Sequence, residues 1–380
     1  MVQLLFIATT FLSIAYAAFI CWCIVGWMRL PVASDHLKDQ LPVSISVIIP
    51  ARNEAENIFD CLSDFLLQDY PSDSFEIIVA DDHSGDQTAA IVQKFIHDHP
   101  TIRIQLVQMK AENKNKTYKK QAITSAIDIS SGELIITTDA DCRRGVMWLK
   151  SIAGYYSIRH PEMISAPVIF EGEKSWLEKI QSLEFLGLIG IGAAAIRNGH
   201  PFLCNGANLA FSKEVFVATG GYVAAKNISS GDDTQLMLKI ATRGKERIQF
   251  IKSIQATVQT KAQKSIQELL DQRKRWASKI PIQMNTFTIC IAIVAYFLHV
   301  GLLISGFVML YSGNMYTFFI PFLIKMVPEF ILLNNVAGFF KKSKLLYLFL
   351  PAQFIYPMYI SVVGISSLSK SYYWKGREVK

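Results

Sequence analysis

The chain has 380 residues, of which 51% are hydrophobic and 18% charged, with a formal net charge of +7. That length accommodates one large core with appendages, and the apolar share, gathered at the two ends, excludes a purely soluble protein. The charge is mild and no basic tract lies beside aromatics, so nucleic acid is not expected as a partner; the charge reads as membrane orientation and an anionic ligand.

Residues 2–28 carry no charge, and Arg29 follows at once. As a helix this stretch reaches roughly 40 Å, enough to cross a ~30 Å hydrocarbon core. Ala15-Tyr16-Ala17 looks like a cleavage site, but no basic residue precedes the stretch and it runs well past Ala17, so an uncleaved anchor over 1–30 is expected. The second apolar end, residues 285–369, holds two spans, Phe287–Tyr311 and Leu345–Leu368. Between them 316–340 is apolar yet carries Lys325, Glu329, Asn334 and Asn335, and reads as a third span or a re-entrant segment. Lys341, Lys342 and Lys344 and the basic tail 370–380 both call for the cytoplasmic face, whereas a three-span arrangement puts them on opposite faces. The six cysteines form no CxxC pair, and reduced thiols are expected.

A soluble domain is expected over about residues 40–280. Short apolar runs alternate with helical spacing: strands Ser44–Pro50, Phe75–Ala80, Ile102–Val107 and Leu134–Thr138, and helices Glu54–Gln68, Asp86–His97 (capped by Asp86) and Tyr118–Ile129. This pattern specifies an α/β domain with a mainly parallel sheet. Ligands bind beyond the carboxyl ends of such strands. Pro50-Ala51-Arg52-Asn53-Glu54 follows the first strand, Asp81-Asp82-His83 the second, and Asp139-Ala140-Asp141 the fourth. Neither GxGxxG nor GxxxxGK[ST] occurs, so no glycine-rich loop holds phosphates here. Carboxylates facing phosphates need a cation, and Mg²⁺ or Mn²⁺ fits. Asp139 and Asp141 are therefore expected to hold a nucleotide and its metal.

These residues resemble an inverting glycosyltransferase of family 2, whose Rossmann-like GT-A fold would form a cytosolic domain flanked by N- and C-terminal transmembrane helices. IIPARNEAENI resembles the family's opening strand and loop, VADDHSGDQT its nucleotide-base stretch, Lys119-Lys120-Gln121-Ala122 its Lys-x-x-Ala motif and TTDADC its DxD motif. GANLAF (206–211) resembles the acceptor-side loop, GDDTQL (231–236) the Glu-Asp-x-x-Leu motif, and QRKRW (272–276) Gln-x-x-Arg-Trp. The resemblance implies substrate contacts at Pro50, Asn53, Glu54, Asp81, Asp82, Lys119, Asp139, Asn208, Gln272, Arg275 and Trp276, with metal at Asp139 and Asp141. Asp233 takes the catalytic-base position; Asp232, where the family more often has Glu, is the other member of that pair.

Blander readings stand beside these. Asp233 could cap a helix, and Gln272, Arg275 and Trp276 could line a basic interfacial helix. Arg143 and Arg144 read as solvated charge and His83 as a loop residue. Residues 183–196 are too short to span and read as a buried or interfacial helix. The expected activity is inverting, metal-assisted transfer from a nucleotide-diphosphate sugar to a lipid or lipid-linked acceptor at the cell membrane. The alternatives are a processive polysaccharide synthase and a catalytically silent membrane scaffold.

Overall fold

The computed structural model describes residues 2–33, 42–109, 118–222, 232–277, 286–367, 372–374 and 377–379. The chain divides into two units: Leu30–Glu171 with Ile196–Lys261, and Met1–Arg29 with Gly172–Ala195 and Ala262–Lys380.

The first unit is built on a seven-stranded sheet. It comprises β1 (Ile45–Ala51), β2 (Phe75–Asp81), β3 (Ile104–Gln108), β4 (Leu134–Thr137), β6 (Met163–Ser165), β8 (Leu209–Ser212) and β9 (Ile248–Phe250), in the order β3-β2-β1-β4-β8-β6-β9. Strands β3, β2, β1 and β4 are parallel; β8 runs antiparallel to both β4 and β6. Val47, Ile48 and Ile49 have no exposed surface, as do Ile77 and Ile78. Such continuous apolar runs suit strands covered on both faces. A smaller sheet joins β5 (Arg143–Arg144), β10 (Val258–Thr260) and β7 (Val168–Phe170).

The expected helix over Glu54–Gln68 is shorter. Glu54–Asn57 forms a turn, α2 spans Ile58–Ser63, and Asp64–Leu67 tightens into a 3₁₀ turn. The cause is tertiary: Thr88 Oγ1 accepts the Glu54 N–H, and the Asp64 carboxylate is drawn to Arg143 and Arg144. Helix α3 spans Thr88–Asp98 with Gln87 at its cap position, so the expected start at Asp86 moves; Asp86, one residue before the cap, still accepts the Thr88 N–H through Oδ1 at 3.0 Å. Helices α4 (Tyr118–Ile129), α5 (Trp148–Arg159), α7 (Lys213–Ala218) and α8 (Asp232–Ala241) complete this unit.

The second unit holds α1 (Val2–Arg29), α6 (Trp176–Arg197, its last two residues in the first unit), α9 (Ile266–Ala277), α10 (Thr286–Ser312), α11 (Tyr316–Phe339), a 3₁₀ turn over Ser343–Leu348 and α12 (Phe349–Ser367). Among the described residues, five helical stretches are long and apolar enough to cross a membrane: α1, α6, α10, α11 and Ser343–Ser366. One expectation changes and one, left open between a third span and a re-entrant segment, narrows. Residues 183–196 belong to a 22-residue helix that is no longer too short, although 61% of its apolar window is buried inside the protein. Residues 316–339 form one continuous helix despite their charges. Lys325 and Glu329, one turn apart, pair at 2.7 Å, and Gln353 and Tyr16 bond to them from α12 and α1. Internal pairing is what makes such groups tolerable in an apolar bundle. At the chain end, β11 (Tyr372–Trp374) and β12 (Arg377–Val379) pair antiparallel; Lys370, Lys375 and Lys380 of the basic tail lie outside the described residues.

Candidate active site

Strand register brings the polar clusters to one edge of the sheet. Ala51 pairs with Asp81 and Ile48 with Thr137, so β1, β2 and β4 end on the same side. Leu209 lies opposite Thr137, so the Gly206–Asn208 loop that precedes β8 emerges there too. Thr137 Oγ1 fastens that loop by donating to the Gly206 carbonyl at 2.7 Å.

The loops after β1 and β2 are knitted together. Asn53, left-handed at φ 50°, donates its N–H to Ser84 Oγ and accepts the Gly85 N–H at 2.8 Å; asparagine is among the few residues that tolerate this conformation. Glu54 Oε2 accepts from Asn57, and Pro50 lies half-buried within β1. Asp81 and Asp82 are buried. Asp81 Oδ1 accepts the Ser84 N–H, while Asp82 Oδ1 lies 3.0 Å from His83 Nδ1 and 3.9 Å from Arg52 Nη1.

Beyond β4, Lys119 of α4 donates to Asp139 Oδ1 at 2.8 Å. Asp141 is exposed, its Oδ2 accepting from Thr260 at 3.4 Å. The loop carrying both is held from beneath by Arg144, and this corrects the reading of that residue as solvated charge. Arg144 is 7% exposed; it donates to the Cys61 and Cys142 carbonyls, both at 2.9 Å, and its guanidinium lies 4.3 Å from the Phe65 ring centroid. Arg143 is half-exposed and forks onto Asp64 at 2.9 and 2.6 Å. Burial, reinforced by the Asp141 and Asp139 charges, pushes the Cys142 thiol well up, so it stays protonated.

Asp233 opens α8. Its Oδ2 accepts the Gly206 N–H at 2.9 Å and its Oδ1 the Thr234 N–H at 2.8 Å. A Cβ on Gly206 would come within 3.3 Å of that oxygen, so glycine gives the carboxylate room. The Asp232 side chain and Gly231 lie outside the described residues. Asn208 calls for a correction. It is fully buried, its Oδ1 accepting from Trp148 Nε1 and its Nδ2 donating to the Pro167 and Ala256 carbonyls. Both ends of the amide are used inside the protein, so we assign Asn208 to holding the loop and not to substrate.

Sequence reasoning passed over two basic residues. Lys120 is buried, and burial together with the Lys239 charge lowers its pKa to about 8, against an opposing pull from Asp233. A lysine on a helix ordinarily reaches solvent, and the chain gives no signal that this one does not. The second is Arg273, buried on α9 between Gln272 and Arg275 and paired with Glu184 at 2.7 Å. A signal for it existed: Glu184 is a lone acid in an apolar run and needs a partner. Gln272, Arg275 and Trp276 lie on the same helix, in the second unit.

Several known proteins resemble this chain. It is 35% identical over 106 residues to the glycosyltransferase AglE of Haloferax volcanii, covering 28% of this chain and 33% of that protein. It is 35% identical over 105 residues to the dolichyl-phosphate beta-glucosyltransferase of Dictyostelium discoideum, covering 26% of this chain and 31% of that one. The match thus spans about a third of these curated relatives. The solved mannosyltransferase PcManGT from Pyrobaculum calidifontis, in complex with GDP-Man and Mn²⁺, has the same fold: TM-score 0.62, 19% identity, with 97% of this chain and 98% of that one covered. A profile of glycosyl transferase family 21 matches residues 5–380. The motifs resemble family 2, so the family number differs while the glycosyltransferase class is shared. Matched over nearly its whole length, the chain is a glycosyltransferase and belongs to glycosyl transferase family 21.

Proposed function

We propose that this glycosyltransferase moves a sugar from a nucleotide-diphosphate donor to a lipid or lipid-linked acceptor at a membrane, with inversion at the anomeric carbon. The observation that carries the reading is the grouping of Asp139 with Lys119 and of Asp233 with the Gly206 loop at one sheet edge. Asp81 and Asp82 line the nucleotide-base side, with Pro50, Asn53 and Glu54 shaping the adjoining loop. Gln272 and Arg275 meet the diphosphate, and Trp276 shapes the acceptor site. Asp233 acts as general base: two backbone N–H groups fix its carboxylate, which takes the proton of the attacking acceptor hydroxyl. One base on the acceptor side, with no covalent intermediate, gives inversion. Asp232 is the neighbouring acid of this motif.

The donor set suits a hard divalent cation. Asp139 and Asp141 offer carboxylate oxygens at an accessible edge, and among the described residues no three His, Cys, Asp or Glu side chains form an all-protein cage. Mg²⁺ or Mn²⁺ completed by phosphate oxygens fits that pattern, with Asp139 and Asp141 as its protein ligands. When bound, the cation would neutralise charge on the leaving diphosphate.

The five long apolar helices support an integral membrane protein, here proposed in the cell membrane. Arg29, the last residue of α1 and the first charge after its apolar stretch, supports a cytoplasmic catalytic unit. Cys61 and Cys142 are buried and make poor topology probes. A cysteine placed at exposed Gln93 on α3 should react with an impermeant maleimide in opened membranes and not in intact cells.

Radiolabelled UDP- and GDP-sugars, incubated with Mn²⁺ and membranes containing the protein, test the reaction. Label in the organic extract supports the reading. Label in an insoluble polymer instead favours a processive synthase, an alternative strengthened by five possible spans where three or four were expected. No transfer from any donor contradicts both.

A further inference from the structure

Arg273 occupies the first variable position of the QRKRW run and is 5% exposed. Glu184 of α6 accepts from its Nε at 3.3 Å and its Nη2 at 2.7 Å, a forked pairing. Tyr359 of α12 donates to the same carboxylate at 3.3 Å. Arg273 Nη1 donates to Gln272 Oε1 at 2.5 Å. Its guanidinium also lies 4.3 Å from the Trp276 ring centroid, and Phe185 of α6 packs near that ring at 6.1 Å between centroids.

The bond to Gln272 has a chemical consequence. A guanidinium carries only donors, so the amide atom facing it must be the oxygen. The NH₂ end of Gln272 is then the end turned away from Arg273. An unrestrained glutamine rotates its amide by half a turn freely; here the flip would set N–H against a cation. Arg273 is a poor phosphate ligand in its own right, because it is buried and engaged with Glu184.

We propose that Arg273 is a positioning residue: it holds Gln272 with the NH₂ group outward as a donor to a diphosphate oxygen of the sugar donor, and seats Trp276 against the same guanidinium. This rests on the reading above that Gln272 meets the diphosphate. A mere helix staple would use Glu184 and Tyr359 without fixing the amide.

The test is binding of UDP and of GDP, each with Mn²⁺, to the purified full-length chain in detergent, beside thermal stability. Gln272→Glu keeps an oxygen for Arg273 and removes the outward N–H, so nucleotide affinity should fall tenfold or more with no loss of stability. Arg273→Lys keeps the charge and loses the fork, and should also weaken binding. Because Arg273 acts through Gln272, the double variant Arg273→Lys with Gln272→Ala should bind no more weakly than Gln272→Ala alone. Parent-like binding by Gln272→Glu overturns the proposal, as do losses that multiply in the double variant. Should Arg273→Lys fail to fold, Gln272→Glu still decides. A parent protein that binds neither nucleotide contradicts the nucleotide-sugar reading itself.

Discussion

Lys119 Nζ lies 2.8 Å from Asp139 Oδ1, two residues from the second carboxylate of the pair, Asp141. Two like charges this close in sequence are mutually unfavourable unless something positive offsets them, and here the ammonium of α4 does so. On the proposed metal assignment, Lys119 would compete with the divalent cation for Asp139. Lys119→Gln should bind Mn²⁺ alone several-fold more tightly, by electron paramagnetic resonance titration, while its affinity for the nucleotide sugar falls. Unchanged or weaker Mn²⁺ binding would show that the lysine and the cation do not share the carboxylate.

Arg144 holds the same loop through the Cys61 and Cys142 carbonyls and the Asp64-linked turn. Its removal leaves buried acceptors without donors, at a cost of about 3 kcal/mol. Arg144→Ala should lower the melting temperature and weaken metal binding together. Lost stability with parent-like metal affinity would separate the clamp from the loop it holds.

Much of the fold was legible from the chain alone. Ile45–Ala51, Phe75–Asp81 and Leu134–Thr137 are short apolar runs, rich in Ile and Val, between polar turns, the pattern of a strand buried on both faces. Their register then places Asp82 and Asp139 at one edge, as the α/β rule for ligand sites requires. What was hidden depends on partners remote in sequence. Ile58, Leu62, Phe65 and Leu66 keep helical spacing, yet Asp64 is pulled out of a regular helix by arginines about eighty residues on. Two adjacent arginines look solvated until Phe65 and Trp148 are seen against the second. The Lys325–Glu329 spacing was visible, but Tyr16 and Gln353, which make the pair tolerable, lie on other helices.

That network gives a stability test. Lys325 is 1% exposed and donates to Glu329 at 2.7 Å and Gln353 at 2.6 Å. Lys325→Met strands a buried carboxylate and should cost about 3–5 kcal/mol. Adding Glu329→Leu should recover most of that loss, because no charge is then left unpaired. Unfolding in detergent measures both; a double variant as unstable as the single would mean that shape, not charge, is being read.

Lys120 supplies a pH test. Its folded pKa, about 8, lies below the ordinary 10.5, because burial and Lys239 disfavour the ammonium. Below pH 8 both folded and unfolded chains hold the proton, and the cost of burying the charge is fully present. Between pH 8 and 10.5 the unfolded chain binds more protons, so this residue's contribution to stability rises with pH. The melting temperature of Lys120→Met relative to the parent should therefore be highest below pH 8 and decline toward pH 10. A pH-independent difference would place the Lys120 pKa in the ordinary range.

The most direct measurement of the proposed chemistry is turnover and donor affinity of Asp233→Asn, side by side. The amide oxygen still accepts the Gly206 N–H that fastens the loop, whereas the NH₂ that replaces Oδ1 no longer accepts the Thr234 N–H and the side chain no longer takes the acceptor's proton. Losing a positioned base costs about 10²–10⁴ in rate. The expected result is a fall of that size in turnover with nucleotide-sugar affinity nearly unchanged; full turnover by Asp233→Asn would contradict the assignment of Asp233 as the base.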